Sequence, residues 1–206
     1  MAKKGTLAVA VLVGLAVLCP AAMADSILFT TFGPGNSYDT GHQYGVGVGV
    51  FQAFQFTPLT SAVLGSIIVA LAGTGPTTEF DLYTGTSTAL GSLVETFVVP
   101  NPTSPSIVTF NSVIKPTLTA GQLYWLSFTE PPGAPATSTS SWFFNDQGIF
   151  GNRLTSSLPA ASATFPAISV QAAVPEPTSV LLFATGLVAI GLARLRKPSG
   201  VESGDN

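Results

Sequence analysis

The chain has 206 residues, room for one domain of ordinary size, with 8% charged and 46% hydrophobic side chains. Between Asp25 and Val174 it holds two basic residues, Lys115 and Arg153, against seven acidic ones, a net charge of −5. Proteins bind phosphate backbones by neutralising them with Lys and Arg, so this balance excludes nucleic acid as a partner.

At the N-terminus a basic pair, Lys3 and Lys4, precedes an apolar core from Leu7 to Leu18 and the triplet Ala22-Met23-Ala24. Charge, short apolar stretch and small residues at −3 and −1 make residues 1–24 a secretory signal peptide, engaged by the secretion machinery and cut by signal peptidase after Ala24. Its apolar core of 12 residues is short against the about 20 needed to span a bilayer. The only cysteine, Cys19, falls inside this segment behind Leu18, where a lipoprotein site wants a small residue. The mature chain is therefore expected to have no disulfide and no thiol chemistry.

Residues 25–173 form the body. Short runs of β-branched and aromatic residues alternate with Gly, Pro, Asn, Ser and Thr clusters, and no long period of 3.6 occurs. Strands are expected near 27–32, 46–56, 61–71, 79–83, 93–98, 106–110, 123–129, 141–144 and 167–170. In "EFDLYT" at 79–84, Phe80 and Leu82 share one face while Glu79, Asp81 and Tyr83 share the other. Strands so regularly punctuated predict an all-β, antiparallel sandwich of jelly-roll type. The stretch "PPGAPATSTSS" at 131–141 reads as a long loop, since too little chain follows it to build a second core.

The body offers little chemistry. A single histidine, His42, excludes a histidine-rich metal centre, and no Gly-x-Ser-x-Gly or His-Glu-x-x-His motif occurs. His42 follows Asp39 by three residues in a Gly-rich stretch and reads as a solvated loop residue, because any triad would need an arbitrarily chosen serine. Glu79 and Asp81 sit about 7 Å apart on one strand face, a spacing within the range of inverting glycosidases but equally ordinary on the polar face of a sheet. Neither they nor Asp39 and Asp146 match the spacing of a calcium loop. No catalytic, cofactor or metal residue is expected.

Aromatic residues give the sharper question. In "LYWLSF" at 123–128, Tyr124, Leu126 and Phe128 read as core, which turns Trp125 outward or places it under a covering loop. With Trp142, an outward Trp125 would make a platform for stacking on sugar rings.

The C-terminal region has its own order. Pro175-Glu176-Pro177 is followed by 16 uncharged residues from Thr178 to Ala193, then by Arg194, Arg196 and Lys197. As a helix that run spans about 24 Å, close to the roughly 30 Å of a hydrocarbon core, with snorkelling side chains to cover the difference. The basic group marks the cytoplasmic boundary, and residues 198–206 form a cytoplasmic tail. Both prolines fix φ and hold their predecessors extended, so the segment before the run is stiff and suited to an enzyme's binding cleft.

This order over residues 174–197, behind an N-terminal signal peptide, resembles the PEP-CTERM sorting signal of Gram-negative bacteria. The resemblance implies an exosortase, a membrane-embedded cysteine transpeptidase, as the partner that cuts near Pro-Glu-Pro. Within the body, "FGPGNSYDTG", "FQAFQF", "FDLYTG" and "LTAGQLYWLSFTE" are similar to choice-of-anchor domains of the R type, which implies a β-sandwich and no catalytic residues. The expectation is an exported protein, anchored in the inner membrane as a precursor and then placed at the cell surface or in an extracellular matrix, in company with exopolysaccharide or biofilm. It is not expected to be an enzyme. A carbohydrate-binding module and a secreted glycoside hydrolase are the alternatives.

Overall fold

The computed structural model describes residues 26–156 and 160–174. The body, Asp25–Ala173, forms one compact unit. Among the described residues the body is all-β apart from one 3-10 turn at Pro34–Asn36, and no helix is long and apolar enough to cross a membrane.

Local alternation becomes strand burial as the sequence predicts. In β5 (Thr77–Gly85), Thr78, Phe80 and Leu82 are buried while Glu79, Asp81 and Tyr83 are half-buried on the opposite face. Strand β9 (Tyr124–Thr129) pairs with β5 and with β3 (Phe51–Phe56), which brings Ser127 between Ala53 and Asp81. Strand β6 (Leu90–Pro100) closes one edge, and β11 (Phe150–Thr155) and β12 (Ala161–Thr164) close the other, giving a six-stranded sheet in the order β12-β11-β3-β9-β5-β6.

The seven-stranded sheet is organised by β4 (Ala62–Gly73). Val69 lies between Ile168 of β13 (Ile168–Ala172) and Val108 of β7 (Ser106–Asn111), and Leu71 between Trp142 of β10 (Thr139–Phe144) and Ser106. Strands β13 and β10 therefore run end to end along one side of β4. On the other side, β7 is joined near the start of β4 by the short β8 (Thr117–Leu118). Strand β1 (Ile27–Thr30) then pairs with β13, and β2 (Asp39–Gly47) with β10. Every pairing among the described strands is antiparallel, which lets hairpins and short connections link them.

The two sheets meet face to face across one apolar core. Trp142 of the seven-stranded sheet is fully buried and stands edge-on to Phe54, Phe80 and Phe128 of the six-stranded sheet, with centroids 5.2–5.4 Å apart. Such T-shaped pairs place ring edges on ring faces, and the indole N–H is satisfied by the Ala167 carbonyl at 2.9 Å. A smaller apolar cluster, Phe32, Ala70, Phe143 and Ala167, joins β1, β4, β10 and the start of β13.

Three sequence expectations are corrected. Residues 46–56 do not form one strand: Gly49, at φ 81°, turns the chain, and the Val50 amide bonds back to Gly47. A side chain at that φ is strained, so glycine sets the break. The Gly-rich segment around His42 is not a loop but β2, held by its register with β10 rather than by its own propensity. Strands β8, β11 and β12 lie outside the expected set, because their polar or very short sequences lack an alternating signal.

Candidate functional site

The outer face of the six-stranded sheet, away from the core, is built by the outward positions of β3, β9 and β5. Register aligns Phe51, Thr129 and Glu79 in one row, Ala53, Ser127 and Asp81 in the next, and Gln55, Trp125 and Tyr83 in a third. The small side chain of Ser127 leaves room in the middle of this surface. The result is an open cleft of about 290 Å³ lined by Gly49, Val50, Phe51, Asp81, Tyr83, Leu90, Ser127 and Thr129. The turn that walls it is tied down where Thr129 Oγ1 donates to the Val50 carbonyl at 3.0 Å.

Asp81 is the fixed acid of this cleft. Thr96 Oγ1 donates to its Oδ1 at 2.5 Å and the Tyr83 hydroxyl to its Oδ2 at 3.2 Å. Burial raises the Glu79 pKa above the ordinary carboxylate range, and the Asp81 charge adds to the rise. The Tyr83 phenol is raised as well, first by burial and then by Asp81, which repels a phenolate and accepts a hydrogen bond from the hydroxyl. The arrangement presents hydroxyls, one carboxylate and two aromatic edges to a polar ligand.

The proposed sugar platform of Trp125 and Trp142 is not formed. Both rings are fully buried. Trp125 does point to the outer face of its strand, but the hairpin after β5 covers it and Thr86 accepts its indole N–H at 2.9 Å. Trp142 points into the core. A stacking platform needs exposed ring faces, and neither residue supplies one.

His42 lies on β2, exposed, with Nδ1 2.7 Å from Asp39 Oδ2 and its ring stacked on Phe144. The Gly41 amide and His42 hold Asp39 below the usual aspartate range. Asp146 is likewise lowered, by Ser37 and Gln147. Asp39 belongs to the seven-stranded sheet and Asp81 to the outer face of the six-stranded one, so the core separates the acids that a shared calcium site would need. Among the described residues no group of three or more His, Cys, Asp or Glu side chains gathers to hold a metal.

Two carboxylates are buried without being visible in the sequence as special. Glu95 on β6 receives the Ser112 hydroxyl at 2.6 Å and the Val113 and Ile114 amides at 2.7 and 3.1 Å. It thereby fastens the turn after β7. Glu130 accepts from Ser140 Oγ at 2.5 Å, in a network with Thr78 and Asn101, while its Oε2 has no partner among the described residues.

Ala22, Ala24, Pro175, Glu176, Pro177, Arg194, Arg196 and Lys197 lie outside the described residues. The last described stretch brings the chain to them: the Ala173 amide bonds the Val63 carbonyl at 2.8 Å at the end of the seven-stranded sheet. A family model for the PEP-CTERM protein-sorting motif matches residues 173–197. The match supports sorting of the chain to the cell surface by an exosortase, and an exported protein anchored in the membrane before processing. No curated protein matches the chain.

Proposed function

We propose that the protein is a non-catalytic cargo of this sorting route, whose β-body is what remains at the cell surface or in the extracellular matrix once the tail has been processed. The carrying observation is the position of the motif: it begins at the residue where the last strand's edge is tied to β4. On this reading residues 1–24 are removed on export, the run from Thr178 to Ala193 holds the precursor in the inner membrane, and cleavage falls near Pro175-Glu176-Pro177. The body is a jelly-roll-type sandwich akin to choice-of-anchor domains. Deleting the exosortase tests this: the full-length chain is expected to accumulate in the inner-membrane fraction, whereas unchanged release to the exterior would refute it.

Association with exopolysaccharide is the second part of the reading, and the cleft supports it. Asp81, Ser127, Thr129 and the Tyr83 hydroxyl match the hydrogen-bonding needs of a sugar, and Phe51 with the Tyr83 ring supplies apolar edges for its C–H faces. Binding of the mature protein to a glycan array, lost in Tyr83→Ala and Asp81→Asn, would establish a carbohydrate-binding module. Binding that survives both changes would place it elsewhere. A glycosidase would need turnover that disappears in Glu79→Gln.

A further inference from the structure

A second surface lies at the end of the body from which the chain leaves. Backbone hydrogen bonds gather several segments there: Ala172 N to Ser26 O, Ala173 N to Val63 O, Leu64 N to Pro116 O, Leu59 N to Leu28 O and Ser112 N to Gly65 O. These segments carry exposed apolar side chains. Val113 is 88% exposed, Leu59 78%, Ile114 63%, and Ile27 and Val63 are also exposed. Single exposed apolar residues are ordinary, but a group gathered on linked segments at one end marks a contact surface.

The Val113-Ile114 tip is held outward rather than left loose. Its two amides are bound by the buried Glu95 carboxylate, and Ser112 Oγ both donates to Glu95 and receives the Lys115 amide at 2.8 Å. A buried carboxylate with three donors is a costly device for fixing a surface turn. Its product is an apolar pair followed by Lys115, an exposed cation and one of only two basic residues in the body.

We infer that this end of the body, led by Val113 and Ile114, rests in the headgroup layer of the membrane while the precursor is anchored, with Lys115 on lipid phosphates. The inference rests on the reading of residues 178–193 as membrane-inserted. Five residues lead from Ala173 to Thr178, a reach of at most about 18 Å, and the headgroup layer occupies roughly 5–7 Å of that. This short reach keeps the exit end of the body near lipid, and there a fastened apolar tip stands beside a cation. Apolar groups and Lys next to a bilayer bind it by burial and by attraction to anionic headgroups.

The test uses the full-length chain after signal removal, which has no cysteine, reconstituted in phosphatidylethanolamine–phosphatidylglycerol vesicles. An environment-sensitive fluorophore is placed by Val113→Cys, by Leu59→Cys as a second probe of the same end, by Ala136→Cys at the opposite end of β4, and by Ala184→Cys in the tail. Labels at 113 and 59 are expected to shift blue and to be quenched by lipids carrying a shallow nitroxide, while the label at 136 stays solvent-like. If 184 is quenched by deep nitroxides but 113 and 59 behave like 136, the docking is wrong and the tail reading stands. If 184 also escapes quenching, the tail reading has failed and this inference with it. A blue shift at 113 without lipid quenching would mean a second protein copy covers the tip, which also overturns it.

Discussion

Trp142 and Pro175-Glu176-Pro177 work by different rules. Trp142 acts through what the fold brings around it: three phenylalanine faces from the opposite sheet and the Ala167 carbonyl. The tail acts through order along the chain, Pro-Glu-Pro, an uncharged run, then Arg194, Arg196 and Lys197. The body's information is thus tertiary and the tail's is linear, and changes in one should leave the other's readout intact.

Breaking the linear part has the largest expected effect. Replacing Pro175, Glu176 and Pro177 together by alanine is expected to abolish processing and leave the full-length chain in the membrane fraction, while the body's thermal midpoint stays where it was. Immunoblots of fractionated cells and a melt of the purified protein check the two halves. A shifted midpoint would show that the motif also supports the body.

The mirror experiment is Trp142→Ala. Removing a fully buried tryptophan at the meeting of two sheets is expected to cost about 3–5 kcal/mol, read by chemical denaturation. Chains that still fold should be processed normally. Next in size is Glu95→Ala, which strands the Ser112 hydroxyl and the Val113 and Ile114 amides. A loss of about 1–3 kcal/mol is expected, with faster hydrogen exchange at those two amides.

The smallest effect is at Glu79. Its pKa is raised in the folded body, so between the unfolded and folded values the native state binds more protons. Its contribution to stability is therefore greatest at acid pH and is lost as pH rises through the folded value. Glu79→Gln should stabilise the body slightly at pH 7, by roughly 0.5 kcal/mol or less given its exposure, and the gain should vanish near pH 4. Asp39 and Asp146, both lowered, have the opposite sign: their contribution is present above the ordinary aspartate range and is lost as pH falls. Melts of wild type and Glu79→Gln across pH 3–8 separate these.

What could be read from the sequence follows the same division. Phe80 and Leu82 betrayed their inward face by alternation, and so did Tyr124, Leu126 and Phe128, because period two is a local signal. The sorting motif was legible for the same reason. Strand β2 was not, since glycines at 41, 45 and 47 carry no strand preference and only pairing with β10 makes them one. The cleft was hidden because it depends on the register that sets Ser127 beside Asp81 and Thr129 beside Glu79. Alternation places Trp125 on the outer face of its strand but does not decide between an open and a covered ring; the turn at 86–89, whose Thr86 carbonyl takes the indole N–H, decides it. Glu95 and Glu130 looked like any surface acids until the fold buried them.

Sorting by processing is read from the intact mass of the mature protein from producing cells, with and without the exosortase. A chain beginning at Asp25 and ending near Pro175–Pro177 is expected only when the enzyme is present, with any added mass identifying an attached group. A chain that keeps residues 178–206 in both strains would make the tail a plain anchor and contradict sorting by processing.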